Sequence, residues 1–101
     1  MNMQMIMQQA KKMQAQLQRE QEELEKTEYV GSSSMVDVKI NGKYEVLNVK
    51  INLSDGENIS SDDLEMYEDM ILLAFNDAVK KVNSDKEKKM SKYGQGLAGL
   101  M

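Results

Sequence analysis

Thirteen basic and seventeen acidic side chains are the reactive inventory of this 101-residue chain, which contains neither cysteine nor histidine. Their absence removes thiolate and imidazole nucleophiles, imidazole general bases, and the usual zinc and iron ligands. It also removes disulfides. Adjacent carboxylates at Asp62-Asp63 and Glu68-Asp69 have the residue types for acid-base work or for a hard cation. Their spacing is not that of a calcium-binding loop, and the first pair falls where a helix begins and negative charge is favoured. Met1, Met3, Met5 and Met7 offer thioethers, the soft ligands that suit Cu(I). Alternate residues do not share a helix face, so only Met3 and Met7 would be neighbours, and packing is the expected role. The sequence therefore predicts no catalytic residue, metal, cofactor or small-molecule substrate, and disfavours an enzyme.

Cationic side chains are left to account for. The net charge of −4 opposes binding to a polyanion if charge is taken as a sum. Its distribution says something else. Residues 54–79 hold eight acids and no base, whereas residues 80–92 hold Lys80, Lys81, Lys86, Lys88, Lys89 and Lys92 against only Asp85 and Glu87. A solvated helix end matched to its own dipole would look the same, so lysine clustering admits a phosphate-binding role without requiring it.

The elements that must position these groups follow from periodicity. Met3, Ile6, Ala10, Met13, Leu17 and Leu24 recur at helical spacing, which predicts an amphipathic helix from Met3 to about Lys26. Its polar side carries Gln8, Lys12, Gln16 and Arg19, followed by the acids Glu20, Glu22, Glu23 and Glu25. Glu20 and Gln21 stand where the next stripe residue would fall, which interrupts the seam and argues against a continuous coiled coil. A short extended piece around Thr27 to Val30 leads into Gly31-Ser32-Ser33-Ser34, which reads as a connector. Val36, Val38 and Ile40 alternate with polar residues, as do Leu47, Val49, Ile51 and Leu53, so two half-buried strands are expected. Asn41-Gly42 between them suits a type I′ hairpin, in which both central residues take positive φ.

Ser54 to Asn58 reads as a loop, and Ser60 or Ser61 can cap a second helix running to about Lys92. Leu64, Tyr67, Ile71, Ala74, Phe75, Ala78 and Val82 share one face of it, while Met66, Met70 and Leu73 fall on another side. This is more apolar surface than a small monomer needs, and a second copy of the chain is the expected cover. The stripe fades after Val82, so two or three basic turns extend past the sheet. Asn76 and Asp77 either face solvent or hydrogen-bond a partner. Residues 93–101, with three glycines, read as a flexible tail beyond a single domain of residues 1–92.

From the Gln-rich Gln8-Gln9-Ala10-Lys11-Lys12-Met13-Gln14 through Asn41-Gly42 and the Glu68-Asp69 to Asn76-Asp77-Ala78 segment, the chain resembles the YbaB/EbfC family of nucleoid-associated DNA-binding proteins. It departs from the usual pattern at Met1 to Met7, which replace a glycine-rich start, and at Asn52-Leu53, where Asp-Pro is common. The extended piece and the two strands make a three-stranded antiparallel sheet with one apolar face between two long helices, an α+β fold of order α-β-β-β-α, and the resemblance implies a homodimer with projecting helical arms that close on duplex DNA. It also implies a DNA-binding set of Lys11, Lys12 and Arg19 on the first helix with Lys80, Lys81, Lys86, Lys88, Lys89 and Lys92 on the second. A cytoplasmic, nucleoid location is expected, as no run approaches a membrane span and no signal-peptide pattern is seen. The rival reading is a protein-interaction adaptor in replication or recombination that touches DNA only incidentally.

Overall fold

The computed structural model describes residues 2–98, with side chains for 2–91. Helix α1 spans Met3–Lys26, strands β1, β2 and β3 span Glu28–Ser33, Val36–Asn41 and Val46–Ile51, and helix α2 spans Leu64–Ala98 after a 3-10 turn at Ser61–Asp63. This is the α-β-β-β-α order that the sequence predicts. The three strands form one antiparallel sheet in the order β1-β2-β3. The molecule measures 72 × 20 × 16 Å with a radius of gyration of 20.4 Å. A compact chain of this length would have about 13 Å, so much of the helical material projects from the body.

The core is where α2 crosses the sheet. Val36, Val38 and Ile40 of β2 are buried against Tyr67, Ala74, Ala78 and Val82 of α2, as the period-2 and helical stripes require. Gly31, expected in a connector, lies inside β1 opposite Val38. A Cβ there would stand 2.0 Å from the Ala74 carbonyl oxygen, so its missing side chain lets α2 settle onto the sheet. The β1–β2 turn shrinks to Ser34 and Met35, with Ser34 left-handed at φ 52°.

The second hairpin also differs from expectation. Neither Asn41 nor Gly42 has positive φ; the left-handed residue is Tyr44, at 65°. The Tyr44 N–H donates to the Asn41 carbonyl at 3.0 Å, and Asn41 Oδ1 accepts from the backbone N–H groups of Lys43 and Glu45 at 2.9 and 3.1 Å. This is a three-residue loop with a left-handed third position, not a type I′ turn. Gly42 is needed elsewhere: a Cβ on it would lie 1.9 Å from the Leu24 carbonyl oxygen, where the end of α1 rests on the loop.

Strand β3 is the main departure in burial. It pairs with β2, Val38 opposite Val49 and Val36 opposite Ile51, so its apolar residues face the side that α2 occupies. Yet α2 packs chiefly on β1 and β2, with Ile51 of β3 at the margin of the core, and Val46, Leu47 and Val49 stay 52%, 48% and 43% exposed. A single helix is too narrow to cover three strands about 4.8 Å apart. On α1, only Leu24 is buried and Met13 and Leu17 half-buried, while the outer part of the expected stripe, Met3, Ile6 and Ala10, lies bare. Helix α2 continues six residues past the expected Lys92 to Ala98; the rest of the tail lies outside the described residues.

Candidate nucleic-acid interface

Helix α2 leaves the sheet near Val82, the last buried residue of its stripe, and runs sixteen residues further. Helix α1 comes back alongside it. Leu17, Glu20, Gln21 and Leu24 of α1 line a shallow cleft with Lys86, Lys89 and Met90 of α2. The projecting basic segment is therefore a two-helix arm, stiffer than the lone α2 extension that the sequence suggests.

Four hydrogen bonds fasten α2 where the arm begins. On the edge of β1 away from β2, the Ser32 N–H donates to Asp77 Oδ2 at 3.0 Å and the Val30 carbonyl accepts from Lys81 Nζ at 2.7 Å. Asp77 and Lys81, 3.5 Å apart, thus satisfy an exposed strand edge as a neighbouring strand would. The Tyr44 hydroxyl donates to Asn83 Oδ1 at 2.5 Å. The Tyr29 hydroxyl donates to Asp85 Oδ2, and Asp85 also pairs with Lys89 at 3.6 Å. Burial, then the Asp85 carboxylate, pushes the Tyr29 phenol up to about 12. The Tyr29 hydroxyl in turn holds the Asp85 carboxyl below its usual value, and the Ser32 N–H does the same for Asp77.

This geometry divides the nine expected DNA-binding residues. Lys11, Lys12, Arg19, Lys80 and Lys88 are exposed and Lys86 half-buried, and no carboxylate lies within 4 Å of any of the six among the described residues. Lys81 is committed to β1 and Asp77, and Lys89 to Asp85. The side chain of Lys92 lies outside the described residues. The structure brings Lys86 and Lys89 beside α1 on the arm, whereas Lys81 sits lower, against the sheet, and Lys80 is exposed next to it in the chain. Asp77, left open in the sequence, is a structural ligand of β1. Glu20 is the residue that sequence reasoning undervalued. One of its carboxylate oxygens is buried in the arm without a hydrogen-bond partner, and the signal was its place in the apolar stripe.

Among the described residues no cluster of three metal-ligating side chains occurs, and no helix is long and apolar enough to cross a membrane. A family model, that of the YbaB/EbfC DNA-binding family, matches residues 1–97. The chain belongs to the YbaB/EbfC DNA-binding family. This is not a family of enzymes. A nucleoid-associated protein of Clostridium novyi (strain NT) is 41% identical over 99 residues, covering 96% of this chain and 84% of the relative. One from Xanthomonas campestris pv. campestris (strain B100) is 45% identical over 101 residues, covering 98% and 88%. The crystal structure of the uncharacterized protein HP0035 from Helicobacter pylori superposes with a TM-score of 0.65 at 21% identity, over 92% of this chain and 97% of that one, and supports the fold.

Proposed function

We propose that this YbaB/EbfC-family chain acts as a homodimer that holds duplex DNA with its two-helix arms in the bacterial nucleoid, organising the chromosome and influencing transcription through that occupancy. One observation carries the dimer: apolar surface left bare on the body. Helical spacing puts Leu64, Leu72, Phe75 and Val79 on the flank of α2 opposite the Asp77 and Lys81 side, hence toward β3. Leu64 and Leu72 are 50% and 61% exposed on that flank, and Val46 and Val49 of β3 are 52% and 43% exposed. Bare apolar surface of this kind marks an interface, and a second copy offers identical surface to cover it.

Six basic side chains free of carboxylates on each chain, twelve in a dimer, support the DNA reading. Sequence readout is low because lysine contributes a mobile point charge, while bidentate recognition of guanine favours arginine, of which Arg19 is the single example. Phosphate contacts then dominate, and log K falls by about 0.9 for each phosphate neutralised as log salt rises.

Sedimentation velocity of the purified chain at micromolar concentration, with and without a duplex at two salt concentrations, tests both parts. The expected species has twice the 11.5 kDa chain mass, captures DNA at low salt and releases it at higher salt. A stable monomer would remove the dimer, and salt-insensitive capture would remove the phosphate mechanism. If Lys86→Glu with Lys88→Glu left DNA association unchanged, an adaptor role would become the better account.

A further inference from the structure

The distal end of α1 takes no part in the packing described above. Met3, Met5, Ile6 and Met7 are 75%, 60%, 44% and 59% exposed. Met7 precedes Leu24, the buried anchor of α1, by seventeen residues, which places the tip about 26 Å out along the helix at 1.5 Å per residue. With about 100° between successive residues, Met3 and Met7 share a side, Ile6 lies beside them and Met5 faces away. Apolar surface therefore occupies one side of the tip, and Met5 adds a second beyond Gln4 and Gln8.

Charge indicates what the tip meets. Residues 1–19 hold Lys11, Lys12 and Arg19 and no acid. Lys11 follows Met7 by one helical turn on the same side. A cationic rod ending in bare thioethers and an isoleucine fits a ligand with anionic rims and apolar interior, and duplex DNA has phosphates flanking stacked bases and thymine methyls. Methionine is unbranched and adaptable, so it can pack against any base step without choosing a sequence.

We propose that Met3, Met5, Ile6 and Met7 form an apolar wedge that enters a DNA groove and partly unstacks a base step, while Lys11 and Lys12 hold the adjoining phosphates. This rests on the DNA-binding reading above and adds that binding deforms the duplex. Apolar wedges of this type kink DNA by about 20–90°.

The test uses the full chain and a duplex of about 30 base pairs carrying donor and acceptor dyes at its ends. Saturating wild-type protein is expected to raise energy transfer. The variant Met3→Gln, Met5→Gln, Met7→Gln keeps helix-forming side chains without charge; it should lose at least half of that rise while keeping its salt slope. Lys11→Gln with Lys12→Gln removes four lysines from the dimer and should do the reverse, bending DNA at saturation with a log–log salt slope shallower by about 3.6.

Equal bending by the methionine variant, or no bending by bound wild type, overturns the wedge and leaves DNA binding intact. A wild-type chain that fails to capture the duplex sinks the DNA-binding reading and this inference together. Vesicles of phosphatidylglycerol and phosphatidylcholine that bind wild type but not the methionine variant, with DNA bending unaltered, would assign the tip to lipid instead. A lower sedimentation coefficient for the DNA-free variant, with bending again unaltered, would assign it to contact between copies.

Discussion

The Tyr29 hydroxyl reaches the Asp85 carboxylate across 2.5 Å, tying the first strand to the helix residue that immediately precedes Lys86. Because the two residues are 56 positions apart, this contact exists only in the folded chain and bears on the direction in which the arm departs.

Tyr29→Phe keeps the ring and removes the donor. A hydrogen bond to a carboxylate contributes about 1.5–3 kcal/mol net, so thermal unfolding should fall by more than about 4–8 °C for a domain of this size. Hydrogen exchange should quicken at residues 83–90 before it does at Val36 and Val38. A uniform increase across the sheet would show that the contact does not act locally.

Stability should decline at both ends of the pH range, for opposite reasons. Asp37, Asp77 and Asp85 are held below the usual carboxyl value, Asp37 chiefly by the Ser32 hydroxyl. Their contribution is present above the unfolded value of 3.8 and is lost as pH falls through the lower folded values. Tyr29 is raised, so its contribution is full below 10.0 and disappears as pH rises toward about 12. Unfolding midpoints against pH should show the alkaline decline flattened in Tyr29→Phe and the acid decline reduced to what Asp37 and Asp77 chiefly supply, since the Tyr29 hydroxyl is the main cause of the Asp85 shift.

Lys81 and Lys12 should separate structure from DNA contact. Lys81→Ala removes the donor to the Val30 carbonyl and is expected to lower the melting temperature without altering the salt slope of DNA binding. Lys12→Ala, on an exposed face, should leave melting unchanged and, removing two lysines from the dimer, reduce the slope by about 1.8. Titrations at several salt concentrations check both.

Gly31→Ala and Gly42→Ala should each destabilise by at least about 1–3 kcal/mol, since the new methyl meets backbone, the Ala74 and Leu24 carbonyls respectively. Their consequences differ. Gly31→Ala lifts α2 from the sheet and should unfold the core; Gly42→Ala dislodges α1 and should weaken DNA binding while the sheet persists. Denaturant melts with exchange mapping distinguish them.

Glu20→Leu completes the α1 stripe between Leu17 and Leu24 and removes a carboxylate oxygen that is buried without a partner. Unfolding should shift upward in the arm and DNA affinity should rise, because the negative charge beside Lys86 and Lys89 is gone. Unchanged affinity would mean that Glu20 does not offset those lysines.

Much of the fold was legible because the periods are clean. Val36, Val38 and Ile40 at every second residue and Ala74, Ala78 and Val82 at every fourth mark faces that can pack only on each other. The glycines were not legible. Asn41-Gly42 and Gly31 both read as turns, since sequence shows a missing Cβ but not whether it serves a backbone angle or a close approach. The site was half legible: the basic positions are visible in the chain, but which of them are already engaged depends on Asp77 and Asp85 meeting β1.

Local order in the chain, by itself, determined that there are two helices and three strands, which faces are apolar, and that charge divides into acidic and basic ends, because these depend on neighbours a few residues apart. Only the tertiary structure decided that α2 is too narrow to shield β3, that α1 doubles back along the arm, and that Lys81 and Lys89 are occupied while Lys12 and Lys88 are free. Those outcomes turn on helix width, on the close approaches at Gly31 and Gly42, and on contacts between residues dozens of positions apart, none of which a local pattern encodes.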